Sequence, residues 1–350
     1  MKKLCFLFLI GMMLVCSGYS QGAAEPVLSR IEIEVPSVAQ MDQLAEHFEI
    51  IGRHGRFLEM IVPQSQLMRV EEIAGFKVRI LEQDIYTGLP RSRDEYPTMA
   101  ELEKKLKKLA QDHGFIQFER YGSSTSGFPL MAIKLSGSAK QKEKKTALLI
   151  TAATHGDEVI TTLVVLAIID KLVNSYGTDP KITKLINDRE LWFIPVLSPD
   201  GYSKRRRYVG WTDPNRNFPW PEKPEVSSIP CIAGIRNFYA QKKFVASIDY
   251  HAYGQMIMYP WAYTRQAPAD DPALNSLTKG MASSNHYRYG QISKVIYVAK
   301  GSSCDYFYWK FKSKALAIEV GRSKIPHGAE IDRVIAANMQ SALYFLEHAK

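Results

Sequence analysis

The chain has 350 residues, 46% of them hydrophobic and 23% charged, with a formal net charge of +9. That composition can bury a full core, which excludes a disordered, fibrous or repetitive protein, and the length accommodates one large domain and one small one. A basic balance admits nucleic acid as a partner, but no basic stripe interleaved with aromatics accompanies it, so none is expected.

The chain starts with a secretory layout: Lys2 and Lys3, an apolar run over 4–16, then small residues ending in Gly22, Ala23 and Ala24. Residues 1–24 are therefore expected to be a signal peptide cut after Ala24, giving a periplasmic or extracellular protein. Loss of two lysines takes the formal charge from +9 to +7. No later run is apolar enough to span a membrane, so no stable insertion is expected after signal removal. Cys5 and Cys16 leave with the signal, and Cys231 and Cys304 remain either as one disulfide or as two buried thiols.

Residues 25–85 read in order as a strand over 29–35, a helix over 38–48, a hairpin with arms 50–51 and 57–62, a helix over 64–73 and a strand over 76–81. The order βαββαβ is that of a small ferredoxin-like α+β domain. It carries no clustered His, Cys or paired carboxylates and is expected to be accessory. Residues 86–97 are polar, Pro-bearing and aperiodic, an exposed linker in which Arg91 and Arg93 offer sites to a trypsin-like protease.

The large domain, 98–350, opens with a helix over 98–113 and strands over 115–121 and 129–135, followed by a solvated lysine-rich turn at 138–145. A short apolar run from Leu148 reads as a buried strand that stops at His155-Gly156-Asp157-Glu158, and a helix follows over 159–173. Strands over 190–197, 245–250, 255–259 and 316–320, helices over 271–286 and 329–348, complete the alternation. This predicts an α/β domain with a mixed, mostly parallel central sheet and helices on both faces.

His155, His251 and Glu319 each stand at or beside the end of an apolar strand, where residues distant in sequence meet. His155 and Glu158 could converge on one cation if the turn between them is tight, and imidazole plus carboxylate is a zinc ligand set. The same residues would equally serve a helix N-terminus in which Asp157 and Glu158 complement the dipole. A catalytic zinc keeps three protein ligands, for which His251 is the third candidate, against the alternative of a core histidine satisfied by backbone.

The flanks extend the pattern. His251-Ala252-Tyr253-Gly254-Gln255, Met258-Tyr259-Pro260-Trp261, Asp213-Pro214-Asn215-Arg216-Asn217-Phe218 and Glu319 stand in one order with the His155 motif. With them the chain from about Met99 onward resembles the zinc carboxypeptidases of the carboxypeptidase A and B type. The resemblance implies one zinc per chain held by His155, Glu158 and His251, with Glu319 as general base and an oxyanion arginine, for which Arg206 is chosen over Arg205 and Arg207. It also implies that Asp213 fixes the tautomer of His155, and that Asn215, Arg216 and Tyr297 grip the free C-terminal carboxylate of a peptide substrate. Cys304 stands at the floor of the pocket for the released residue, with Met258, Ala262, Ile292, Ala299 and Ala317 around it, so apolar or aromatic residues are expected to be released. The 25–85 domain would correspond to the family's prodomain. Asp157 stands where the digestive enzymes place an arginine, Ser198 replaces an asparagine, and the segment 201–215 is short. Two alternatives accompany this reading: a carboxypeptidase of cell-wall peptides with D-residues, and a non-enzymatic peptide-binding relative.

Overall fold

The computed structural model describes residues 27–35, 37–54, 56–84, 95–137 and 145–350. The expected signal peptide, the linker residues 86–94 and the lysine-rich turn at 138–144 lie outside the described residues.

The chain builds two sheets. In the first, β1 (Leu28–Glu34), β2 (Glu49–His54), β3 (Phe57–Pro63) and β4 (Arg79–Glu82) take the order β2-β3-β1-β4. All three neighbouring pairs are antiparallel. The helices Val38–His47 and Leu67–Ala74 fall between strands as the βαββαβ pattern requires. Ile31, Ile33, Leu44, Met60, Val62 and Val70 form the core beneath them. The last strand starts later than the expected 76–81, because the Glu71 carboxylate takes the Val78 N–H at 3.0 Å and leaves no strand ladder there.

The second sheet comprises β5 (Ile116–Ser123), β6 (Pro129–Leu135), β7 (Thr146–Ala152), β8 (Arg189–Ile194), β9 (Ala246–Ala252), β10 (Met256–Tyr259), β11 (Arg288–Gln291) and β12 (Lys314–Val320). Their order is β11-β10-β12-β9-β7-β8-β6-β5. The centre, β12-β9-β7-β8, is parallel, while β6 and β5 on one side and β10 against β12 on the other run antiparallel. Strand β9 is buried along its whole length, its polar residues Ser247, Asp249 and His251 included. The helix Ile160–Ser175 is apolar nearly all round and is almost wholly buried, as a helix laid against a sheet and covered by further helices must be.

This order places the site. From β7 the chain moves to β8 on one side, then returns to β9 on the other. The crevice beyond the carboxyl ends of β7 and β9 is therefore the topological switch point. His155 follows β7, and His251 ends β9.

Candidate active site

After β7 the chain turns sharply through Ala153, which has φ 49°, to Thr154 and His155. Gly156 is dictated by contact: a Cβ there would lie 2.0 Å from the carbonyl carbon of Gly201. That close approach lets the turn fold back so that Glu158 N–H donates to the His155 carbonyl at 3.2 Å and both side chains face one point.

Three donor atoms meet at that point. Glu158 Oε1 lies 2.9 Å from His155 Nδ1, Glu158 Oε2 lies 3.0 Å from His251 Nδ1, and the two Nδ1 atoms are 3.2 Å apart. All three residues are buried. Two imidazoles and a carboxylate at this spacing fit a small cation with bonds of about 2.0–2.2 Å. Burial would raise the Glu158 carboxyl, but His155 and His251 outweigh it and hold it well below the usual range. His155 Nε2 faces Asp213 Oδ1 at 2.9 Å, which assigns the hydrogen to Nε2 and leaves Nδ1 for the metal.

Glu319 stands beside this group, in register with His251 across β12 and β9. Burial, and then the neighbouring Glu158, push its carboxyl up to about 7. A cation that reaches the same place is Arg207, 5% exposed, whose Nη1 donates toward His155 Nδ1 at 3.0 Å and Glu158 Oε1 at 3.3 Å. Its Nε and Nη2 both hold Asp213 Oδ2, at 3.3 and 3.0 Å. Arg206, the sequence-based choice, is half-buried and does not line the cavity, whereas Arg207 does. The left-handed turn at Arg205, φ 55°, sets which of three consecutive arginines faces inward.

The cavity beside the metal donors has a volume of about 70 Å³. One wall carries Asn215 and Arg216; Arg216 Nη2 donates to Tyr297 Oη at 3.0 Å. Met258, Ala262, Ile292, Ala299 and Ala317 also line it, with Cys304 among them. Burial raises the Cys304 thiol well above its ordinary pKa, so it is neutral, and Sγ donates to the Ala315 carbonyl at 3.1 Å. Cys231 and Cys304 are both free, which decides for two buried thiols over one disulfide. Lys300 is exposed and lines a neighbouring groove instead.

Other lining residues carried no sequence signal. Ile50 and Ile51 reach the cavity from β2 of the first sheet. Lys324 Nζ holds Asp157 Oδ2 at 2.7 Å, so this acid brings a cation from another loop.

Fold and site together define a metal-dependent hydrolase of the open α/β class. The profile of the zinc carboxypeptidase family matches residues 102–341, and the chain belongs to that family. It is similar to carboxypeptidase A2 of Rattus norvegicus, 28% identical over 315 residues that cover 73% of this chain and 74% of that one. A zinc carboxypeptidase of Saccharothrix mutabilis subsp. capreolus is 26% identical, with 83% and 81% covered. Among solved structures, the carboxypeptidase A from Helicoverpa armigera shares the fold with a TM-score of 0.74 at 19% identity, covering 93% of this chain and 98% of that one. The protein is accordingly a metallocarboxypeptidase, and zinc is its metal.

Proposed function

We propose that the protein is exported and removes apolar or aromatic residues from the C-termini of peptides, with Glu319 as general base and Arg207 in place of Arg206 at the oxyanion. Zinc, when bound by His155, Glu158 and His251, supplies a Lewis acid that polarises the scissile carbonyl and acidifies water. Glu319 takes the proton of the attacking water and returns it to the leaving amine. With the lone pairs of His155 Nδ1 and Glu158 Oε1 committed to a metal, Arg207 Nη1 is left as a donor for the substrate oxygen that gains charge. Arg216, Asn215 and Tyr297 hold the terminal carboxylate, the arginine through its planar fork. The 25–85 domain, which sends Ile50 and Ile51 into the cavity, acts as a cover.

The observation that carries the specificity is the group of uncharged side chains, Met258, Ala262, Ile292, Ala299 and Ala317, that lines the cavity with Cys304. A cationic side chain buried there would have no counter-charge, whereas apolar residues of several sizes fit with modest discrimination. A panel of peptides differing only in the last residue tests this on wild type and on Cys304→Asp. Release of Leu, Phe and Tyr ahead of Lys and Arg is expected, with a gain toward Lys and Arg in the variant. Wild-type preference for Lys or Arg would refute the pocket assignment.

A further inference from the structure

Residues 249 and 251 are two apart on β9, so their side chains leave the same face of the strand. Asp249 is 4% exposed, and a carboxylate so buried is tolerable only if it is well supplied with donors. It has four: Thr151 Oγ1 at 2.9 Å and Thr154 Oγ1 at 2.8 Å on Oδ1, Ser303 Oγ at 2.7 Å and His251 Nε2 at 3.1 Å on Oδ2. They come from β7, the turn that leads to His155, the helix Ser303–Phe311 and β9 itself.

We infer that Asp249 is a positioning residue: it holds His251 with Nδ1 toward the metal and keeps Asn215 as a donor toward the substrate carboxylate. This rests on the carboxypeptidase reading above. A carboxylate ringed by hydroxyl donors accepts at Nε2, so the ring hydrogen sits on Nε2 and the Nδ1 lone pair is left for the metal. Asn215 Nδ2 lies 3.2 Å from the same Nε2. A nitrogen that is already donating cannot accept, so the Asn215 amide hydrogens are left for a ligand in the cavity that this residue lines. The amide is fixed from its other end, where Ser303 N–H donates to Oδ1 at 2.9 Å. Ser303 thus serves both partners, through its hydroxyl to Asp249 and its N–H to Asn215. The metal ligand and the carboxylate grip are joined through one buried acid.

The test compares full-length wild type with Asp249→Asn, measuring zinc affinity by competition with a chromophoric chelator, KM and kcat at saturating zinc, and the unfolding midpoint of the metal-free protein. The variant should bind zinc roughly 10- to 100-fold more weakly. KM should rise by more than kcat falls, with the metal-free midpoint close to wild type. A folded variant with wild-type zinc affinity and KM overturns the inference. If the variant does not fold, spectra of zinc-loaded wild type carrying ¹⁵N-histidine decide the matter. His251 protonated at Nε2, with that proton shifted downfield, supports the assignment, and protonation at Nδ1 overturns it. A wild type that releases no C-terminal residue overturns the carboxypeptidase reading itself, which separates the two failures.

Discussion

His251 and Glu319 are register partners on the parallel strands β9 and β12, so the spacing of the sheet sets a metal ligand and a carboxylate side by side. Glu319→Gln keeps the shape and removes the base. Zinc content should stay near one equivalent while turnover falls by about 10²- to 10⁴-fold. The pH dependence follows from the same carboxyl. Without a metal its pKa is raised to about 7, and only the ionised form accepts a proton, so activity is lost as pH falls through the pKa of this carboxyl. A neighbouring zinc dication favours the carboxylate, which moves the acid limb of kcat/KM below 7 in the loaded enzyme. An acid limb that persists unchanged in Glu319→Gln would assign it to another group.

Without a metal the surroundings of both histidines favour the protonated ring. Burial alone would keep His251 neutral, but Asp249 and Glu158 outweigh it and raise its pKa well above the ordinary value; Glu158 and Asp213 do the same, to a lesser degree, for His155. Zinc competes with protons at these rings, so binding should release protons and weaken as pH falls. Calorimetry in buffers of different ionisation enthalpy measures the release directly. His251→Ala or His155→Ala should lose the metal, and full zinc content in either variant would refute the ligand set.

The strand ends were legible because an apolar run stops abruptly at a polar residue: His155, His251 and Glu319 all stand at such stops. Asp249 carries no signal of its own although it lies two residues before His251: Ser247, Asp249 and His251 alternate with apolar residues as on a solvent-facing strand, whereas this strand is covered on both faces. Arg207 could not be told from its neighbours, since three consecutive arginines have no period and the turn at Arg205 is a backbone event. The contact of Tyr253 with Glu59 joins residues 194 apart in sequence, which no local pattern reports.

That contact underlies a prediction about the first domain. Glu59 is 7% exposed and accepts from Tyr253 Oη and Arg30 Nη1, each at 2.8 Å. Arg265 holds Asp42 at 2.7 Å, half exposed and so of less weight. Tyr253→Phe should loosen the cover and raise the activity of the uncut chain, on the order of tenfold for the loss of a bond to a charged group. Cutting the linker at Arg91 or Arg93, which lie outside the described residues, should raise activity further. The rate before and after limited trypsin treatment checks both. No rise on clean loss of the first domain would argue against a cover.

The last prediction separates Arg207 from Arg206. Arg207 is held as a bidentate fork on Asp213, and its remaining nitrogen points at the metal donors. A donor so fixed needs no reorganisation when charge develops on the substrate oxygen, and removal of one such donor typically costs about 10²- to 10³-fold in kcat. Arg207→Gln should therefore lose kcat by that factor with KM little changed. Arg206→Gln, which alters a residue outside the cavity lining, should stay within about threefold of wild type. Because Arg207 also neutralises Asp213, which in turn orients His155, a lower kcat could arise from lost zinc. Metal analysis of each variant removes that ambiguity, and Arg207→Lys adds a second control. Lysine keeps the charge and lacks the fork, so it should retain zinc and recover part of the rate. A large loss in Arg206→Gln with a neutral Arg207→Gln would return the assignment to Arg206.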